Sequence, residues 1–134
     1  MSSMEMQNQP GAIKSHRDLV AWQRSIDLGL SMYKLTAAFP DSERYGLTTQ
    51  PRRAGISVAS NISEGYGRGS TTDYVRFLRM ARGSLYEMDT QLLFAVSLKY
   101  IPQEIYDAAL EQTNNCGRLL AGLIRSLEPR THPA

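Results

Sequence analysis

The sequence predicts an all-α fold, an antiparallel up-down-up-down four-helix bundle. Three observations predict it. Apolar residues recur every three or four positions in four separate segments, no segment alternates with the two-residue period of a strand, and the connections between segments are short and punctuated by Pro or Gly. The chain has 134 residues, 42% of them hydrophobic, which suits one domain with a single core. Residues 15–128 form the expected bundle, with 1–14 and 129–134 as disordered tails.

The first helix is expected over roughly 18–39, with Asp18 as N-cap and Pro40 closing it. It carries two apolar stripes, one of Leu19, Trp22, Ile26, Leu30, Tyr33 and Ala37, the other of Leu28, Met32, Leu35 and Phe39. A helix with two stripes buries more than one face. The second segment, 42–64, places Leu47, Ala54, Val58 and Ile62 on one side. Pro51 removes a backbone donor there, so regular helix is expected to begin near it, after a kinked "RYGLTTQ". Between 54 and 60 nearly every residue is small, which lets a neighbouring backbone approach.

The third segment, 71–98, is the longest, with Tyr74, Leu78, Ala81, Leu85, Met88, Leu92 and Ala95 in unbroken 4-3 alternation, the spacing of a bundle seam. A second stripe beside it (Phe77, Met80, Ser84, Gln91, Phe94) exceeds what a monomeric bundle helix needs and points to a subunit contact. The fourth helix opens at Pro102 and carries Ile105, Ala109, Gln112, Cys116, Leu119, Leu123 and Leu127.

The turn "SNISEGYGRGSTTDY" raises the question of a phosphate loop. Such a loop sits between a strand and a helix N-terminus, whereas here a helix precedes the glycines, and the spacing matches neither G-x-x-x-x-G-K-[ST] nor G-x-G-x-x-G. The residues read instead as punctuation: Gly65 or Gly67 in the left-handed conformation ends one helix, and Ser70 with Asp73 starts the next as a variant capping box. Arg68 has no capping role and is expected to project from the bundle end.

Other chemistry is thin. A single cysteine, Cys116, and two histidines, His16 and His132, supply no disulfide and no zinc set. Both histidines fall at the predicted tails, so no base stands beside a nucleophile. The chain is therefore expected to be non-enzymatic, with no catalytic residue, metal or cofactor. No apolar run reaches transmembrane length and no signal peptide opens the sequence, so a reducing cytoplasm is the expected compartment. Asn61 and Glu64, one turn apart, are read as a structural polar pair that hydrogen-bonds backbone or arginine near the turn.

The charge pattern is more informative than the net charge of +2. From residue 44 to 82 seven arginines stand against two carboxylates, while from 87 to 128 six carboxylates outnumber three cations. Twelve of the fifteen cations are arginine, the side chain suited to bidentate phosphate or carboxylate contacts. Arg52, Arg53, Arg68, Arg76, Arg79 and Arg82 are the candidate nucleic-acid or partner-binding residues, combining into one basic patch. Tyr66 and Tyr74 stand near enough to stack on bases, although core packing or a lid over the bundle end suits both better. The alternative is a protein-interaction scaffold in which the same arginines pair with carboxylates such as Glu87, Asp89 and Glu104 of a subunit or partner.

The stretch "YGLTTQPRRAGISVASNISEGYGRGSTTDYVRFLRMARGSLYEMDTQL", with "LVAWQRSIDLGLSMYKLTAAFP" upstream, resembles the four-helix-bundle proteins related to those encoded in intervening sequences of bacterial large-subunit ribosomal RNA genes. The most specific pieces are "YGLT.Q.RRA", "SNI.EGYGR" and "RFL..ARGSL.E..TQL". The resemblance implies an all-α up-down bundle, a homopentamer, and no known enzymatic activity. It extends to the accessory bundle protein of diversity-generating retroelements, a basic pentamer that partners a reverse transcriptase and binds nucleic acid, and so implies an RNA or nucleoprotein partner through the six arginines above. Pro51 stands where that family usually carries a large apolar residue.

Overall fold

The computed structural model describes residues 13–128. Four helices carry the fold: α1 (Val20–Thr36), α2 (Thr49–Tyr66), α3 (Thr71–Ser97) and α4 (Gln103–Leu127), with 3-10 turns at His16–Asp18 and Asp41–Glu43 and no strand among the described residues. Cross-helix contacts set the directions. Trp22 near the start of α1 meets Ser63 near the end of α2, while Thr36 at the end of α1 meets Arg52 near the start of α2. Ser84 of α3 meets Ser57 of α2 midway along, and Arg79 near the start of α3 meets Glu128 just past α4. Each helix therefore runs opposite to the one before it, and α4 closes the bundle against α1.

The core is the set of side chains that these pairings enclose. Leu28, Met32, Val58, Ile62, Leu78, Met88 and Leu120 are completely or almost completely buried. On α1 the inner stripe is the one of Leu28 and Met32; Ile26, Leu30 and Tyr33 of the other stripe face outward. The four-three count alone cannot rank two stripes on one helix, and the partner helices choose. On α4 the buried residues are Ala109, Thr113, Cys116, Leu120, Ile124 and Leu127, so the expected inner positions Gln112, Leu119 and Leu123 lie half-buried at the edges and Ile105 is exposed. The α4 stripe is rotated by about one residue from the expected one because Thr113 and Leu120 project into the seam.

Pro51 lies at the start of the regular helix, as expected, with turns rather than helix over residues 44–48 before it. It is the third residue of a helix that begins at Thr49, within the first turn, where the missing N–H has no intrahelical partner to lose, and it is fully buried. α1 has Leu19 as N-cap without a side-chain hydrogen bond, and Asp18 instead closes the preceding turn by accepting from the backbone N–H of Lys14 and Ser15 at 2.8 and 3.3 Å. Ile13, the first described residue, packs on the core, and Lys14 is bonded to Asp18, so these two residues of the expected N-terminal tail join the bundle; the remainder of both expected tails lies outside the described residues.

Small residues set the distance between α1 and α2. A Cβ built on Gly55 would come within 2.9 Å of Gly29 Cα, so the two backbones touch where either helix would otherwise carry a side chain.

At the end of the bundle opposite the α2–α3 turn, Glu43 ties two connections together. Its carboxylate accepts from Tyr100 Oη at 2.8 Å and from the Leu47 backbone N–H at 3.1 Å. The tyrosine hydrogen bond, then the backbone one, holds the carboxyl below its ordinary value of 4.5. A depressed folded-state value means that the contribution to stability is complete above about pH 4.5 and is lost as pH falls through the lower folded value. Tyr100→Phe is expected to raise the Glu43 titration midpoint, followed by carboxyl NMR. In urea unfolding, the stability gap between wild type and variant is expected to shrink on acidification below pH 4.5; a gap that widens there would refute the assignment.

Candidate nucleic-acid interface

The turn between α2 and α3 is built almost wholly from backbone requirements. Gly65 is still helical and buried, because a Cβ there would lie 2.8 Å from Phe77 Cβ and 3.1 Å from Tyr74 O. Gly67 caps α2 with φ −81°, and the left-handed residue is Gly69, at φ +84°. The expectation that Gly65 or Gly67 takes that conformation is therefore corrected: the helix runs two residues further, to Tyr66, and the left-handed residue comes only at Gly69. Ser70 caps α3 by accepting from the Asp73 backbone N–H at 3.2 Å. The reciprocal bond that would complete a capping box is absent from this pair.

Arg68 does not project from the end. Its guanidinium folds back to Glu64 at 2.9 Å and lies over the Phe77 ring, 4.8 Å from the centroid. Arg76, one helix later, lies 4.6 Å from the same centroid and 3.6 Å from Asp73. Phe77, itself only 8% exposed, thus gathers two arginines over one ring at the turn end of the bundle, where each also meets a carboxylate and keeps about half of its side chain exposed.

The other four candidates diverge, and the expected single patch does not form. Three residues along a helix fall about 60° short of a full turn, so Arg76, Arg79 and Arg82 form a stripe that drifts around α3 by about 120° from end to end. Arg79 pairs with Glu128 at the end of α4, and half-buried Arg82 enters the groove between α3 and α4. Adjacent residues on a helix point about 100° apart. Accordingly Arg52 turns to α1, donating from Nε to Thr36 Oγ1 at 2.7 Å and lying over the Tyr33 ring, while Arg53 turns to the α2–α3 groove beside Ser57, Glu87 and Gln91.

Asn61 and Glu64 do as expected. Asn61 Nδ2 donates to the Ser57 carbonyl at 2.9 Å and to Ser57 Oγ at 3.0 Å, and Glu64 pairs with Arg68. They do not touch each other. Tyr66 and Tyr74 meet edge to face at 5.9 Å, and burial, reinforced by the neighbouring Tyr66, raises the Tyr74 phenol well above its ordinary range. They form the lid at the turn end with Trp22 and His16, whose ring packs against both Trp22 and Tyr66 and is therefore part of the folded unit rather than a tail. His132 lies outside the described residues.

Cys116 is buried and its thiol is pushed up to about 11, chiefly by burial, which removes thiolate character at neutral pH. No group of three or more His, Cys, Asp or Glu among the described residues could hold a metal ion. No helix among them is long and apolar enough to cross a membrane. A cavity of about 500 Å³ lies near Leu47, Glu87, Gln91 and Phe94, away from the stacked arginines.

Two features escaped sequence reading. Arg118 of α4 lies in the same groove as Arg82, and Ile26, Leu30, Tyr33 and Ile56 form one exposed apolar ridge along α1 and α2. Both depend on which helices are neighbours. The first stripe of α1 was the only signal for the ridge.

The model of the 23S rRNA-intervening sequence protein family matches residues 17–122. The chain belongs to this family. Among solved structures, this intervening-sequence protein is similar to a protein with unknown function from the S23 ribosomal protein family of Bacteroides thetaiotaomicron VPI-5482, with 22% identity and a TM-score of 0.72 over 79% of this chain and 96% of that one. The likeness confirms the helical fold of the family member. No curated protein matches it.

Proposed function

We propose that the protein is a non-enzymatic helical bundle of the cytoplasm that binds RNA or a nucleoprotein through its arginines, and that it works as a homo-oligomer, with five subunits the number its family resemblance implies. The observation that carries the reading is the pair Arg68 and Arg76 stacked on Phe77. Both guanidiniums are about half exposed, and their carboxylate partners Glu64 and Asp73 are solvent-accessible, so those ion pairs are weak and a phosphate can replace them. The stacking has already restricted two long side chains, which lowers the entropic cost of a phosphate contact.

Fluorescence anisotropy with a structured RNA in a salt series tests it. Wild type is expected to bind at low salt, with a steep loss of affinity as salt rises. Arg68→Ala with Arg76→Ala should reduce the slope of log affinity against log salt by about 2, roughly one per phosphate contact. Binding that is absent at low salt, or indifferent to both substitutions, would sink the proposal.

A second reading, a scaffold for protein contacts, is favoured by the ridge of Ile26, Leu30, Tyr33 and Ile56, whose exposures run from 36% to 60%; contiguous apolar surface of this kind marks interaction sites. Ile56→Glu is expected to lower the molar mass in light scattering if the ridge joins subunits. If charge reversal at Arg76 or Arg79 dissociates the oligomer while RNA affinity is absent, the scaffold reading replaces the first.

A further inference from the structure

The arginines of the chain differ in whether a carboxylate already holds them. Arg68, Arg76 and Arg79 are in ion pairs with acids of the same chain. Among the described residues Arg82 and Arg118 have no ion pair, yet both line one groove of about 370 Å³ between α3 and α4. The sole carboxylate lining that groove is Asp89, which lies beyond ion-pair distance of either, so the groove is net positive. Arg82 is half-buried and Arg118 exposed, so the two guanidiniums stay accessible to an anion that would supply the missing counter-charge.

The remaining lining adds a second chemistry. Tyr86 is 69% exposed and its ring has no aromatic or cationic partner among the described residues. Asn114, also exposed, offers an amide with both donor and acceptor and no side-chain hydrogen bond among the described residues. Gly117 opens the floor: a Cβ there would meet only Leu85 Cδ1, at 3.9 Å. Thr113, beneath, is already satisfied by the Ala109 carbonyl and Met88 Sδ, so the polar groups free to act are all at the rim.

We infer that this groove holds one nucleotide unit of a single-stranded nucleic acid, with Arg82 and Arg118 on flanking phosphates, Tyr86 stacked on the base and Asn114 at the base edge. A base inside a duplex has no free face for the ring, which is why the strand must be unpaired. The inference rests on the nucleic-acid reading above and names a site for it distinct from the Arg68 and Arg76 pair.

An amide NMR titration of the full chain with octauridylate, octathymidylate and inorganic phosphate tests it. Octauridylate should shift the amides of Tyr86, Asn114, Gly117 and Arg118. Tyr86→Ala should weaken it about tenfold or more, the loss of one stacked base, while Tyr86→Phe keeps the affinity. Arg82→Ala with Arg118→Ala should abolish the shifts. Phosphate alone should give weaker shifts at the two arginines, and equal shifts with phosphate and octauridylate would overturn the base contact. Octathymidylate, which lacks the 2′-hydroxyl and adds a base methyl, should shift the same amides, because the phosphate and stacking contacts use neither group; its failure to do so would overturn the assignment. If octauridylate binds undiminished to these variants and is lost only on Arg68→Ala with Arg76→Ala, the groove assignment fails and the wider reading stands. No shift anywhere at low salt would overturn both.

Discussion

Gly65→Ala is expected to lower the unfolding free energy by about 2 kcal/mol and Tm by roughly 5–10 °C. The new methyl would lie 2.8 Å from Phe77 Cβ and 3.1 Å from Tyr74 O. Neither atom is the free end of a flexible side chain, so relief requires α2 and α3 to separate at the turn where Arg68 and Arg76 are stacked. Gly83→Ala is the matched control. Gly83 is exposed in the middle of α3, nothing lies within 4 Å of its added Cβ, and the change should stabilise by up to about 1 kcal/mol through helix propensity. Thermal and urea unfolding of the two variants read both signs; equal effects would show that the close approach at Gly65 is not made in solution.

Leu120→Ala is expected to cost about 3 kcal/mol, because the side chain is completely buried and its removal leaves a cavity among four helices. Leu119→Ala, one residue earlier and half-buried, should cost about 1 kcal/mol or less. The pair measures the rotation of α4 directly. If Leu119 proved the costlier, α4 would be turned by about one residue, and Arg118 would leave the groove that it shares with Arg82.

These two experiments bracket what was legible in the sequence. Helix existence and order were readable because the 3.6-residue period is a local property, and the α3 seam was read correctly from Leu78 to Ala95, whereas at its start Val75 is buried and Tyr74 only half-buried, and Phe77 and Ser84 of the second stripe are buried within the chain. The inner stripe of α1, and the choice between Leu119 and Leu120, were not readable. They depend on which neighbour a face meets, and amphipathic spacing is satisfied equally well by either answer. The same limit governs the arginines: their identity was visible, but their division between Phe77, Thr36, Glu128 and the α3–α4 groove follows from helix phase and from carboxylates up to 49 residues away. Turn chemistry failed more narrowly. Three glycines in alternation mark a reversal, but only packing tells that Gly65 is needed for closeness and Gly69 for its positive φ.

The hydrogen bond from Trp22 Nε1 to Ser63 Oγ, at 2.9 Å, has a practical consequence. Trp22 is the single tryptophan of the chain, its ring is packed edge-on against His16, and its indole is anchored to the last turn of the helix that leads into Arg68. Its emission is therefore a built-in optical gauge of the α1–α2 contact at the turn end. A blue or red shift on adding RNA would register there without a dye, while a ligand confined to the α3–α4 groove would leave the spectrum unmoved.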